Sequence, residues 1–86
     1  MSRQLRWDDC ALDALRRLER RDRATARRIV AAAERLAETD RGDIKKLKGR
    51  LDLWRLRVGE WRAIFTTDEP GTLTILTVEP RRDVYR

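Results

Sequence analysis

Residues 53–65 read LWRLRVGEWRAIF. Two runs rich in aromatic and aliphatic residues, Leu53 to Val58 and Trp61 to Thr67, are separated only by Gly59-Glu60, and glycine at the first central position suits a type II′ hairpin turn. With Val58 opposite Trp61, Leu56 falls opposite Ala63 and Trp54 opposite Phe65 on one face of the hairpin. Arg57 then meets Arg62, and Arg55 meets Ile64, on the other face. A third run, Thr72 to Glu79, follows the turn residues Asp68-Glu69-Pro70-Gly71. The second half is therefore predicted to be a three-stranded antiparallel β-meander. If the last hairpin keeps simple alternation, Ile64, Leu73 and Ile75 share the arginine face and form an apolar patch there.

Upstream, the spacing changes from two to about 3.6. Leu12, Leu15 and Leu18, with Ala11 and Ala14, make one helical stripe that Asp8 or Asp9 can cap. Ala26, Ile29, Val30, Ala33, Leu36 and Ala37 make a second, on a helix predicted from about Arg23 to Thr39 and ended by Asp40-Arg41-Gly42. The charged cluster Glu19 to Arg23 holds the turn between them. Two such helices so close in sequence form an antiparallel hairpin whose stripes need a common partner surface, and the meander supplies it. Arg3 to Asp8 alternates weakly, with Leu5 and Trp7 on one side, and reads as a short first strand. The expected class is α+β: a short N-terminal strand, an antiparallel helical hairpin, then the meander, with the helices on one face of the sheet. At 86 residues there is room for one such domain, spanning 1–86.

Composition narrows the chemistry. There is no histidine and one cysteine, Cys10, which excludes a disulfide framework, a multi-thiolate zinc site and any step that needs imidazole. No metal or cofactor is expected. No signal-peptide core and no membrane-length apolar stretch occurs, so a soluble cytoplasmic protein without a membrane partner is expected. The formal charge is +6, and it is unevenly placed. Residues 1–43 carry eleven arginines against nine acids, whereas residues 44–62 carry seven bases against Asp52 and Glu60. A polyanion is the favoured partner on electrostatic grounds.

Arg57 and Arg62 directly opposite each other repel, so something must compensate. Arg55 adds a third guanidinium on the same face. Such a group suits phosphate oxygens, unless acids such as Asp52, Glu60 or Glu79 neutralise it locally. The C-terminal run Glu79-Pro80-Arg81-Arg82-Asp83-Val84-Tyr85-Arg86 leaves the third meander strand beside the first hairpin turn, which brings Arg81 and Tyr85 within reach of that surface. Lys45, Lys46, Lys48, Arg50, Arg82 and Arg86 are the candidate polyanion-binding side chains around it.

The ordered set KLKG (Lys46 to Gly49), LWRLRVGEWRAIF and RRDVYR (Arg81 to Arg86) resembles the RelE/ParE superfamily of type II toxin–antitoxin toxins, specifically its RelE-like branch. The resemblance covers nearly the whole chain. It implies two helices on one face of an antiparallel sheet and a concave basic face for RNA. It also implies an endoribonuclease that cleaves mRNA in the ribosomal A site without a metal, a cognate antitoxin, and a toxin–antitoxin complex that binds operator DNA through the antitoxin. Carried over by position, Arg55, Arg57, Arg62, Arg81 and Tyr85 are the candidate catalytic residues. The departure is Pro80, where many relatives carry a histidine or another base. ParE-like toxins share the fold and poison DNA gyrase without a nuclease site. A binding module without catalysis, and an inactivated relative kept for partner binding, are the further alternatives.

Overall fold

The computed structural model describes residues 2–49 and 52–80. The chain runs β1 (Gln4–Trp7), α1 (Asp9–Arg21), α2 (Arg23–Thr39), β2 (Ile44–Lys46), β3 (Trp54–Val58), β4 (Trp61–Thr66) and β5 (Thr72–Pro80). The five strands form one sheet in the order β1-β5-β4-β3-β2. Both helices pack on one of its faces.

The hairpin has the register expected from its sequence: Val58↔Trp61, Arg57↔Arg62, Leu56↔Ala63, Arg55↔Ile64 and Trp54↔Phe65. Gly59 has φ 60° while Glu60 keeps a negative φ, as a type II′ turn requires. Trp54 and Phe65 stack across the pair with ring centroids 6.5 Å apart.

The sheet departs from expectation in three ways. It is mixed, because β1 pairs with β5 in parallel, Leu5 beside Leu73 and Trp7 beside Ile75. It gains an edge strand, β2, antiparallel to β3. Three residues reading IKK carry no periodic signal, and this strand exists because the edge of β3 offers it a ladder. Third, the β4–β5 pairing shifts between Ile64 and Phe65: Ile64 faces Thr77, yet Phe65 faces Ile75, leaving Leu76 as an extra residue. This β-bulge reverses the alternation of β5 beyond it. Leu73 and Ile75, expected on the arginine face beside Ile64, instead point under the helices and are fully buried. Ile64 stays on the opposite face and is buried there at 7% exposure.

The helices are where the periodicity places them. Ala11 and Leu18 of α1, and Ala26, Ile29, Ala33, Leu36 and Ala37 of α2, close over Leu56, Val58, Ala63, Phe65, Leu73, Ile75 and Val78. Asp8 sits at the N-cap of α1, but its side chain makes no capping bond, contrary to expectation. Its backbone N–H instead donates to the Ile75 carbonyl at 2.9 Å, tying the strand exit to β5. Asp22 alone separates the helices. Its carboxylate accepts from the Thr25 N–H at 3.1 Å and the Thr25 hydroxyl at 2.7 Å. These bonds, the hydroxyl's first, hold its carboxyl below the usual carboxylate range. At the other end, Asp40 closes α2 in the left-handed conformation (φ 60°) and pairs with Arg3.

Two outcomes follow. Ile75→Ala should cost about 2–5 kcal/mol in urea denaturation, the range for a buried aliphatic, whereas unbroken alternation would have left this side chain on the face opposite the helices. Asp22→Ala should lower the thermal midpoint at neutral pH. Because the folded-state pKa is depressed, that difference should fade as pH falls through it, which thermal melts at neutral and acidic pH will show.

Candidate nucleic-acid interface

Strand register builds the face opposite the helices as two cross-strand rows. Lys45, Arg55, Ile64 and Thr77 form one, and Arg57, Arg62 and Glu79 form the other. The three candidate arginines of the hairpin thus sit at adjoining positions on two neighbouring strands, where backbone ladders rather than loop conformation hold them. Lys45 joins them. Lys46 lies across from Trp54, on the opposite face of the sheet, and Lys48 follows β2 in an exposed turn. Arg50, Arg81, Arg82, Tyr85 and Arg86 lie outside the described residues. β5 does carry Pro80 to a position opposite Trp61, directly after the Gly59–Glu60 turn.

The compensation that Arg57 and Arg62 require comes from Glu79. Its Oε2 accepts from the Arg62 Nε at 2.7 Å and also pairs with the Nη2. Arg62 is 16% exposed and Glu79 34%, so the pair is partly withdrawn from water. The Nη1 donors and one Nη2 proton of Arg62 are left over, enough for a phosphate oxygen. Arg55 is held differently. Its Nη1 is buried without a hydrogen-bond partner among the described residues, and the Asp43 carboxylate lies 3.7 Å away, close enough for attraction but not for a hydrogen bond. The Asp43 carbonyl accepts the Arg57 N–H at 2.9 Å, which places the acid beside the arginines. Asp43 was not singled out in sequence, because its role depends on β2 pairing with β3. Arg57 is exposed and makes no ion pair among the described residues. No cluster able to hold a metal ion occurs among the described residues.

The profile of the ParE toxin family of type II toxin–antitoxin systems matches residues 5–85. The chain belongs to this family. It is thereby a type II toxin of the RelE/ParE superfamily, as the three motifs suggested. Among solved structures it is similar to archaeal RelE from Pyrococcus horikoshii, in complex with RelB, at 26% identity over 95% of this chain and 98% of that one, with TM-score 0.73. Free RelE from E. coli superposes with TM-score 0.77 at 21% identity, covering 99% and 92% of the two chains. A YoeB/ParE toxin from Agrobacterium tumefaciens gives 0.75 at 19% identity, covering 91% and 98%. The latter two show the RelE-like fold. No curated protein matches the chain in sequence. No described helix of this toxin is long and apolar enough to cross a membrane.

The partly buried Arg62–Glu79 pair predicts a double-mutant result. Arg62→Ala strands the Glu79 carboxylate and should cost about 1–3 kcal/mol, between the values for exposed and buried pairs. Adding Glu79→Ala should restore part of that loss, measured by chemical denaturation of both single variants and the double variant.

Proposed function

We propose that this toxin is a metal-independent endoribonuclease that cleaves mRNA in the ribosomal A site and is neutralised by a cognate antitoxin. The observation that carries the reading is the juxtaposition of Arg55, Arg57 and Arg62 on adjoining strand positions of the helix-free face. The similarity to RelE in a RelB complex supports the antitoxin partner.

In this reading an RNA 2′-hydroxyl attacks the adjacent phosphorus, forming the 2′,3′-cyclic phosphate and expelling the 5′-oxygen of the next nucleotide. Guanidiniums fixed on strands align the phosphodiester and stabilise the charge that develops on its oxygens. Arg57, exposed and unpaired, meets the phosphate first. Arg62 offers the donors that Glu79 leaves over. Tyr85, as the phenolate, accepts the 2′-hydroxyl proton, and Arg81 is a further phosphate contact. Lys45, Lys46, Lys48, Arg50, Arg82 and Arg86 hold the flanking backbone. The complex with the antitoxin binds operator DNA through the antitoxin. The ParE name of the matching family supports a second reading, gyrase inhibition.

Induction of the gene alone should arrest growth, and mapping of mRNA 5′ ends should reveal new cuts within codons, while a parallel supercoiling assay shows gyrase unaffected. Inhibited supercoiling with intact mRNA would replace this reading with the second. Arg62→Ala should lower single-turnover cleavage on programmed ribosomes about 100-fold or more. Tyr85→Phe separates stacking from proton transfer: as general base its loss should be about 100- to 10,000-fold, while near wild-type cleavage would leave the ring a stacking role only.

A further inference from the structure

Of the three arginines on the helix-free face, Arg62 is the one whose guanidinium is fixed by hydrogen bonding among the described residues. Arg57 has no side-chain hydrogen bond or ion pair there, and Arg55 has only the exposed Asp43 carboxylate at 3.7 Å. Arg62 meets Glu79 directly across the β4–β5 ladder, at a pairing that comes before the bulge along β4. A guanidinium offers two bidentate edges, a side-on edge of Nε with Nη2 and an end-on edge of Nη1 with Nη2. Glu79 Oε2 takes the side-on edge, accepting from Nε at 2.7 Å and pairing with Nη2. The end-on edge is left, with both Nη1 protons and one on Nη2. Because Nε joins the planar group to its aliphatic stem, a bond there fixes the direction of the plane as well as its position.

We infer, on the ribonuclease reading above, that Glu79 is a positioning residue for Arg62: it occupies the side-on edge of the guanidinium, so that the end-on edge is the one presented to the scissile phosphate. Two opposed effects then meet in one side chain. As an anion in the same cross-strand row as Arg57 and Arg62, Glu79 repels phosphate and weakens RNA binding. As the partner of Arg62 it removes freedom that the arginine would otherwise lose on the way to the transition state, and so speeds the step. Removing the carboxylate therefore tightens binding and slows cleavage. An acid that only offset the charge of the face would, once removed, raise both. An acid that only held the fold would, once removed, lower both. Glutamine separates charge from geometry, since its amide oxygen still accepts from Nε without repelling phosphate.

The test measures binding and cleavage separately. Binding is read on ribosomes programmed with an mRNA whose A-site codon is 2′-deoxy, so that no attack can occur, and single-turnover cleavage is read on the matching all-ribose mRNA. Glu79→Ala should bind about 2-fold or more tighter and cleave about 10-fold or more slower. Glu79→Gln should keep the tighter binding and recover much of the lost rate. Added to Arg62→Ala, Glu79→Ala should cause no further loss of rate, because the acid acts through that arginine. Circular dichroism establishes that the variants fold, and Glu79→Met, which keeps the length of the side chain without its carboxylate, replaces Glu79→Ala if that variant does not. Cleavage by Glu79→Ala at or above the wild-type rate would reduce Glu79 to a charge offset and overturn the assignment. Weaker binding with slower cleavage, and no recovery in Glu79→Gln, would make its role structural and overturn it as well. Wild-type toxin that leaves mRNA intact on ribosomes would sink the ribonuclease reading and this assignment together, whereas wild-type cleavage that Glu79→Ala does not slow would sink the assignment alone.

Discussion

One extra residue in β5 decides which face of the sheet is core. Through Ile64↔Thr77 the ladder follows the alternation started at the Gly59 turn, and beyond it the ladder resumes one residue out of step at Phe65↔Ile75. The displacement lets Phe65 and Ile75 lie under the helices together, with Leu73 and the β1 residues Leu5 and Trp7 continuing the same apolar surface. Without it, the choice would be between burying Val78 and burying Ile75, since the two lie an odd number of residues apart on one strand. The bulge allows both. It also clears Leu73 and Ile75 from the helix-free face, which is left to Thr77, Ile64 and the charged rows.

That separation is what makes a cationic face tolerable. Like charges at Arg57 and Arg62 on adjacent strands repel, and β5 answers by placing Glu79 in the same cross-strand row as both. On the other side of β3, pairing with β2 draws in Asp43 beside Arg55. Each carboxylate orients an arginine while lowering the net field of the face. A long basic side chain pinned by one acid keeps donors in a fixed direction, whereas one in free solution must lose rotamer entropy on meeting a phosphate. The arrangement therefore exchanges bulk positive potential for preorganisation.

Much of this was legible in the residues themselves. The 3.6-residue spacing of the alanine- and leucine-rich stripes defined both helices, and Asp40-Arg41-Gly42 marked the end of the second. The two-residue connection Gly59-Glu60 permits only one simple register between Leu53 to Val58 and Trp61 to Thr67, so the opposition of Arg57 and Arg62 could be read before any coordinates. These are local properties: they depend on dihedral preferences and on side-chain spacing within a few residues, which the chain carries wherever it is placed.

Tertiary structure decided what the sequence alone leaves degenerate. A bulge shifts register without any glycine or proline to announce it, because the drive is the burial of Ile75 and Leu73 by helices far away in the chain. The edge strand Ile44–Lys46 has no pattern of its own and forms only because β3 presents unpaired backbone groups to it. The parallel seating of β1 on β5 is a long-range choice of the same kind. The partners of the arginines follow from these pairings, since Glu79 and Asp43 reach Arg62 and Arg55 across strands. Charge content and hairpin register are written in the sequence. Which acid meets Arg55 and which meets Arg62 is set by the pairing of strands in the sheet.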